Sequence, residues 1–364
     1  MTVKSTSRAR IAIVGGGIAG LACAYELSRR GMQPTVFESA RAGRGALWAS
    51  GGMLAGVFES AESGADKAVV GLARRGLACW RDWSTDLGRD AIGYRAAGSL
   101  SPASGKAGRD WLERLEDAAR RQGFRVEHVP VPDGLVADAA LRFPDDGELD
   151  NRLLGPHLVA ALRERGVDIH ENRTVDSIDI RPSGGIDLRF AGMALPFDAA
   201  ILATGHDAGL APIDPAISAI VPVKGEMLSL REAAVGLDAC VRARSVYMSQ
   251  KPDRRIVIGA SSWFGANDLA IDDSAISRLR RHAEALLPQL AGATELERWA
   301  GIRPGTKDGL PILGESRAPG VFLALGLYRN GVLYSPAVAE MLADTILNGR
   351  PFPSGFSPRR FDER

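Results

Sequence analysis

The sequence contains little cysteine and little net charge, and both shortages narrow its function. Its 364 residues include three cysteines, and Cys23, Cys79 and Cys240 form no Cys-x-x-Cys pair. This scatter predicts neither a disulfide framework nor a thiolate metal site, and it favours a reducing cytoplasm over secretion. The formal net charge is +1, so the composition implies no nucleic acid or other polyanion as a partner.

Long apolar runs and clustered histidines are also missing. No run of roughly 18 apolar residues occurs, which predicts no membrane span, and the polar first ten residues predict no signal peptide. We interpret the five scattered histidines as structural: His128, His157, His170, His206 and His282. The 45% apolar and 24% charged residues are typical of a soluble globular protein, and the length favours two domains.

Against this background, residues 11–27 (IAIVGGGIAGLACAYEL) carry a GxGxxG pattern in its proper context. Four β-favouring residues lead into three glycines and then into a helical pattern, which predicts strand, tight turn and helix. Gly15 would permit the turn, and Gly20 would let the helix lie close to the strand. Gly17 would let a phosphate reach the backbone, at a helix N-terminus that favours anions.

An acidic residue follows at the expected distance. Residues 34–38 read as a second strand that ends in Glu38, which lies 18 residues after Gly20. A carboxylate there would receive the ribose hydroxyls of an adenine nucleotide. The alternative is a glycine-rich turn that matches the pattern by chance, and the flanking strand and helix argue against it.

Other glycine turns are candidates for cofactor contact. In residues 39–54, Ser50 and the Gly51–Gly52 backbone can act as donors; the alternative for this stretch is a flexible surface loop. A strand from 197 runs into a turn at Ala203–Gly205. No second GxGxxG follows a strand, so the chain binds either a nicotinamide alone or FAD reduced directly by a substrate. A late turn, Gly326–Gly331, before a helix predicted over about 335–347, favours FAD.

These motifs together resemble the D-amino-acid oxidase and glycine oxidase family of flavoenzymes. The matching segments are IVGGGIAGLACAYELSRRG, VFE, ASGGML, PVKGEML, WAGIRPGTKDGLPILG and GLYRNGVLYSPA, in the family's order from about residue 10 to 350. The match is closest to bacterial glycine oxidases. It implies an α/β fold with a Rossmann-like FAD-binding domain of the glutathione-reductase type and an α+β substrate domain with an antiparallel sheet. We expect the FAD-binding domain at 1–90, 142–222 and 297–364, and the substrate domain at 91–141 and 223–296.

The resemblance also implies roles for single residues. Arg303 corresponds to the arginine that clamps the substrate carboxylate, Tyr247 to a tyrosine that adds a hydroxyl to that carboxylate, and Arg329 to an arginine beside the exposed flavin edge. The alternatives are a surface ion pair, a core aromatic and a loop anchor, respectively. The fingerprint, the loops and the resemblance together predict these FAD-binding residues: Gly15, Gly17, Ile18, Ala19, Gly20, Glu38, Ser39, Arg44, Ser50, Gly51, Gly52, Met53, Val175, Ala203, Thr204, Gly205, Gly301, Arg303, Arg329, Asn330, Gly331, Val332 and Leu333.

The implied reaction is oxidative deamination of glycine or a related small or D-amino acid, without a metal. A hydride passes from Cα to flavin N5, the imine hydrolyses to a 2-oxo acid and ammonia, and O2 reoxidises the flavin to give H2O2. Glycine oxidases serve thiamine synthesis in bacteria. We expect noncovalent FAD, because no His precedes residue 128 and no Cys follows residue 240, so the usual attachment regions lack both. The resemblance leaves a homo-oligomer open.

Two departures from the family keep the substrate open. Leu327 precedes Tyr328-Arg329 where glycine oxidases often carry a His, and His206-Asp207 stands where relatives commonly have an aromatic. Glycine, sarcosine, a D-amino acid and a cyclic secondary amine remain candidates. Other functions also stay open: a dehydrogenase of the same fold that reduces a quinone or carrier, a non-enzymatic FAD-binding module, and a nicotinamide-dependent reductase.

Overall fold

The computed structural model describes residues 9–231 and 235–362. The strands in chain order are β1 Ile11–Val14, β2 Thr35–Phe37, β3 Met53–Leu54, β4 Ser99–Ala103, β5 Glu127–His128, β6 Ala139–Phe143, β7 Gly147–Glu148, β8 Asp168–His170, β9 Ser177–Ile180, β10 Ile186–Phe190, β11 Met193–Phe197, β12 Ala199–Leu202, β13 Ile220–Arg231, β14 Cys240–Arg242, β15 Tyr247–Gln250, β16 Arg255–Gly259, β17 Trp263–Phe264, β18 Thr294–Thr306, β19 Ile312–Glu315 and β20 Val321–Leu325.

The helices complete the α/β class that the sequence predicts. In chain order they are α1 Ile18–Arg29, α2 Ala46–Ala49, α3 Gly56–Ser63, α4 Lys67–Leu87, α5 Gly105–Arg121, α6 Asn151–Glu164, α7 Asp273–Leu286 and α8 Gly331–Asn348. Within the described residues, no helix is both long and apolar enough to cross a membrane.

The chain divides into two units. The first unit comprises Met1–Trp48, Leu154–Pro222 and Arg303–Arg364, and the second comprises Ala49–Leu153 and Val223–Ile302. These bounds differ from the expected domain boundaries.

The differing segments are residues 49–90, 142–153 and 297–302, which we expected in the FAD-binding domain and which lie in the second unit. The reason for the first of them is packing, because Phe58 of α3 and Val70 of α4 share one apolar cluster with Leu115 of α5 and Leu141 of β6. The functional labels of the two units stay predictions.

The first unit contains a sheet in the order β19-β20-β12-β1-β2-β8. Neighbours from β20 to β8 run parallel, and β19 is antiparallel to β20. The short strands are nearly all apolar and buried, as both-face coverage of a parallel sheet requires. A second sheet, β11-β10-β9, shares its apolar cluster, in which Phe37, Ile186 and Phe197 are buried.

The start of the last long helix was predicted wrongly. We expected a helix over about 335–347, but α8 begins at Gly331. Proline has no N–H to donate to the carbonyl four residues before it, which here is Val332. That carbonyl accepts the Ser335 hydroxyl instead, with an Oγ to O distance of 3.0 Å, so the helix continues through Pro336.

The second unit is built on a sheet in the order β17-β13-β16-β15-β14-β4-β6-β5, with β18 also paired to β13. Helix α7 packs on one face, where Met248, Ile258 and Leu279 belong to one apolar cluster. Strands β15 and β16 form an antiparallel hairpin, with Tyr247 opposite Gly259. Because side chains alternate along a strand, Tyr247 faces away from α7.

Candidate cofactor and substrate site

The first unit brings the predicted cofactor segments to one edge of its parallel sheet. Strand β1 leads into Gly15, β2 into Glu38, β12 into Ala203 and β20 into Gly326. These four strands are adjacent and parallel, so their carboxyl ends meet at the same edge. Ligands of open α/β sheets bind outside this edge.

The three fingerprint glycines serve different purposes. Gly15 has φ +110°, and a Cβ there would lie 2.3 Å from the Ala203 carbonyl oxygen. A Cβ at Gly20 would lie 1.9 Å from the Gly15 carbonyl oxygen, which supports the close packing of helix on strand. Apart from the adjoining chain, a Cβ at Gly17 would meet no described residue within 4 Å, so the chain leaves space on that side for a ligand.

Glu38 is fixed at the end of β2 by the glycine turn itself. Its Oε2 accepts the Gly16 N–H at 2.6 Å, and its Oε1 accepts the Ala40 N–H at 2.8 Å and the Ser39 hydroxyl at 3.2 Å. A carboxylate has about four acceptor positions, so capacity remains for a ribose hydroxyl. The Ser39 hydroxyl is directed to Glu38, and the Arg44 guanidinium lies 5.5 Å from the Trp48 ring centre.

Two helix N-termini meet beside this turn. Helix α1 starts after Gly17, which has no side chain, and α8 starts after Asn330, whose side chain makes no capping hydrogen bond. A Cβ at Gly331 would lie 3.7 Å from Cγ2 of Ile18. Two positive dipole ends side by side repel each other unless an anion binds between them.

The contacts at the far end of the same helices show that they run parallel. Arg30, which follows α1, lies 2.6 Å from Asp344 near the end of α8. Ala19 lies in the first turn of α1. In α8, the Val332 and Leu333 side chains are buried. The Asn330 amide donates to the Tyr334 hydroxyl at 3.1 Å.

The remaining predicted residues of the first unit differ in exposure. The Thr204 hydroxyl donates to the Asp207 carbonyl at 2.9 Å, and Gly205 has φ +66°. Val175 is buried in the apolar cluster with Phe37, so its side chain serves the core. Arg303 is half-buried on β18, whereas Arg329 is exposed in the turn before α8.

The turn regions also contain the two departures from the family pattern. Tyr328 adopts φ +49°, a left-handed conformation that is uncommon for a bulky residue. Leu327 is buried. Burial lowers the pKa of His206, and the neighbouring Asp207 opposes that shift.

In the second unit, Tyr247 lies across two glycines. A Cβ at Gly259 would lie 2.3 Å from the Tyr247 hydroxyl oxygen, and a Cβ at Gly51 would lie 2.7 Å from it. The hydroxyl donates to Sδ of Met227 at 3.3 Å. Sulfur is a weak acceptor, so a carboxylate can replace it at little cost.

The segment around Gly52 is tightly packed. Gly52 has φ +67°, and a Cβ there would lie 2.2 Å from the Leu149 carbonyl oxygen. A Cβ at Gly301 would lie 2.4 Å from Cβ of Ala49. Ser50 and Met53 are half-buried.

Sequence reasoning missed a set of buried charges in this unit. Arg242 is paired with Glu59, its guanidinium lies 4.3 Å from the Phe58 ring centre and 5.6 Å from that of Tyr247, and it donates to Sδ of Met53.

Two more ionisable groups lie in the interior of this unit. Lys251 donates to two backbone carbonyls. Burial raises the pKa of Asp146 to about 7. The only local signal was a charged residue within apolar strand sequence, as at Cys240-Val241-Arg242.

Comparison with known proteins gives nearly full-length matches. The family model described as DAO, FAD dependent oxidoreductase, matches residues 10–345. A glycine oxidase of Geobacillus kaustophilus (strain HTA426) is 32% identical over 357 residues, covering 94% of this chain and 93% of that protein. A glycine oxidase of Pseudomonas aeruginosa is 29% identical over 371 residues, covering 96% and 98%. The crystal structure of glycine oxidase from Geobacillus kaustophilus matches with a TM-score of 0.85 at 30% identity, covering 97% of this chain and 99% of that one.

Proposed function

The chain belongs to the DAO family of FAD-dependent oxidoreductases, and on this premise we propose that it oxidises glycine or a related small or D-amino acid. The overall reaction for glycine consumes glycine, water and O2 and yields glyoxylate, ammonia and H2O2. Its glycine oxidase relatives support the FAD-dependent oxidation of an amine or amino acid. The amino-acid substrate and O2 as the electron acceptor are the parts of this function that we propose.

The observation that carries the proposal is the common edge of β20, β12, β1 and β2. This edge fits FAD because it offers space at Gly17, two adjacent helix N-termini and a preset carboxylate at Glu38. The N–H groups of the first turn of α1 would hold the pyrophosphate, and Glu38 would hold the ribose. The N–H groups of Gly331 and Val332 would hold the O2 edge of the flavin.

The chain's own residues would bind and orient the amino acid. The Arg303 guanidinium would pair with the substrate carboxylate through two parallel N–H groups, a geometry that suits carboxylates. The Tyr247 hydroxyl would exchange its sulfur partner for the same carboxylate, because a charged oxygen is the stronger acceptor. Bound FAD supplies the acceptor for the hydride that leaves Cα. Fixing the carboxylate at two points would orient the Cα–H bond, which is a positioning contribution.

An oxygen electrode tests the proposal directly. We would supply glycine, sarcosine, D-alanine, D-proline and L-proline in turn to the FAD-loaded protein, and measure O2 consumed, H2O2 formed and ammonia released. The proposal expects one of the primary amino acids to give equal amounts of the three. Sarcosine or L-proline as the preferred substrate would correct the substrate class. Reduction of an artificial dye without O2 consumption would contradict the oxidase and favour the dehydrogenase.

A further inference from the structure

Lys251 is a buried cation whose hydrogen-bond partners are backbone carbonyls. Its Nζ donates to the Gly51 carbonyl at 2.7 Å and to the Leu149 carbonyl at 2.8 Å, and the residue is 3% exposed. Glu148 and Asp150 influence it electrostatically, but burial is the dominant effect and lowers its pKa. A buried ammonium without a directly bonded carboxylate is costly, so its placement calls for an explanation.

The position of the Lys251 ammonium determines the orientation of the Gly51–Gly52 peptide group. The bond between Gly51 and Gly52 is trans, since no cis peptide occurs among the described residues. In a trans peptide the C=O and N–H groups point in opposite directions. Because the Gly51 carbonyl points to Lys251, the Gly52 N–H points away from it.

The Gly52 N–H is the donor on the other side of this peptide group. Gly52 is buried, and within the described part of the chain no hydrogen bond from its N–H is present, whereas its carbonyl accepts the Leu149 N–H at 2.8 Å. Buried backbone N–H groups are rarely left unpaired. The Gly52 N–H can therefore serve an acceptor from outside the chain.

The segment has little freedom to turn the peptide by itself. Gly52 has φ +67° and leaves no room for a Cβ against Leu149, and Tyr247 fills the space beside Gly51. Lys251 donates to the carbonyls of both Gly51 and Leu149. One side chain therefore joins the two segments that fix the orientation of the Gly51–Gly52 peptide. Its charge at the Gly51 carbonyl also polarises the peptide and strengthens the N–H as a donor.

We propose that Lys251 is a positioning residue for the cofactor: it turns and polarises the Gly51–Gly52 peptide so that the Gly52 N–H donates to bound FAD. This inference depends on the FAD-binding part of the proposed function, not on the choice of amino acid. Lys251 touches neither cofactor nor substrate in this account and acts through Gly52.

The experiment compares Lys251→Met, Lys251→Gln and a matched control, Arg95→Met. Arg95 is a cation of the same unit that also donates to two backbone carbonyls, of Leu237 at 3.1 Å and Gln250 at 3.0 Å, and it pairs with Glu148. Among the described contacts of Arg95, none is to residues 50–53. For each apoprotein we would measure the FAD dissociation constant, the visible flavin spectrum and the thermal midpoint, all without substrate.

Lys251→Met is expected to weaken FAD binding roughly three- to tenfold, the value of one hydrogen bond, and to shift the visible flavin band. Lys251→Gln keeps N–H donors and should recover most of the affinity. Arg95→Met should lower the thermal midpoint while the dissociation constant and spectrum stay as in the wild type.

Equal FAD affinity and spectra in Lys251→Met and the wild type would overturn the inference and leave the proposed function standing. So would equal losses in Arg95→Met, or no recovery in Lys251→Gln. A wild-type protein without affinity for FAD would overturn both the inference and the proposed function.

Discussion

The two units prepare their predicted cofactor segments by different physical means. The first unit relies on backbone groups: the Glu38 carboxylate is held by N–H donors, and the ends of α1 and α8 lack side-chain caps. The second unit relies on buried charged side chains, with Lys251 under the Gly51 carbonyl and Arg242 beside Tyr247. Backbone donors do not titrate, whereas buried charges depend on pH and on their partners. The stability of the second unit should therefore be more sensitive to pH and to the loss of a charged partner than that of the first unit.

The largest effect is expected at the Arg242–Glu59 pair. Arg242→Met leaves the Glu59 carboxylate in the interior without its cation, which should lower the free energy of unfolding by about 3–5 kcal/mol. The measurement is a urea titration. The double variant with Glu59→Gln should lose less than the single variant, because it leaves no unpaired charge. A loss below about 1 kcal/mol in the single variant would show that the buried Arg242–Glu59 pair contributes little to the stability of the second unit.

The corresponding break in the first unit is Gly17→Val. Apart from the adjoining chain, no described residue comes within 4 Å of the new Cβ, so the fold should keep its thermal midpoint, while the side chain occupies the space of the pyrophosphate. FAD affinity should fall ~100-fold or more, which is about 2.7 kcal/mol. Gly20→Val is the contrast, because its side chain meets the Gly15 carbonyl and should destabilise the unit itself. Stoichiometric FAD in Gly17→Val would defeat the nucleotide-site assignment.

Asp146 makes the stability of the second unit depend on pH. Burial raises its pKa from 3.8 to about 7, so the folded state holds the proton more tightly than the unfolded state. This stabilisation is fully present below about pH 4 and is lost as the pH rises through about 7, with a magnitude of order 1–4 kcal/mol.

The check is the urea midpoint measured between pH 4 and 8. It should fall with pH in the wild type and fall less in Asp146→Asn. Asp145→Asn, at the neighbouring half-buried carboxylate that pairs with Arg125 at 2.6 Å, is the control and should follow the wild type. Parallel curves for Asp146→Asn and the wild type would contradict the assignment.

Arg303 tests the substrate side. Arg303→Ala should raise the KM for the amino acid with FAD still bound, by a factor of roughly 10–100, since a charge-assisted pair contributes about 1.5–3 kcal/mol. Arg298→Ala, at an exposed arginine of the same strand, is the matched control and should leave KM unchanged. Equal KM in Arg303→Ala and the wild type would remove Arg303 from the site.

The smallest effect is expected for Tyr247→Phe. The lost hydroxyl bonds Met227 sulfur, so stability should change little, while KM should rise roughly fivefold, or about 1 kcal/mol. Steady-state kinetics and a thermal scan measure both quantities. A change in stability without a change in KM would instead support the reading of Tyr247 as a core aromatic.

What could be predicted from the sequence follows the same division. The turn from Gly15 to Gly20 and the acid at Glu38 are local features, and their geometry depends on neighbouring residues. The start of α8 was placed too late, at about residue 335, and the hydrogen bond from the Ser335 hydroxyl to the Val332 carbonyl shows that the helix continues through Pro336.

The buried charges of the second unit could not be predicted in this way. Lys251 and Gly51 are 200 positions apart, and Arg242 and Glu59 are 183 apart. No local pattern encodes such a pairing. The assignment of residues 49–90 to the second unit depends on similar long-range packing between α3 and α5.

An anaerobic titration of the FAD-loaded protein with glycine and D-alanine, followed in the visible flavin band, tests whether a small amino acid reduces the bound flavin. The account predicts that one of them bleaches the band at one equivalent per FAD, and that air restores it with one equivalent of H2O2. A band that neither amino acid bleaches, while NAD(P)H does, would contradict the account.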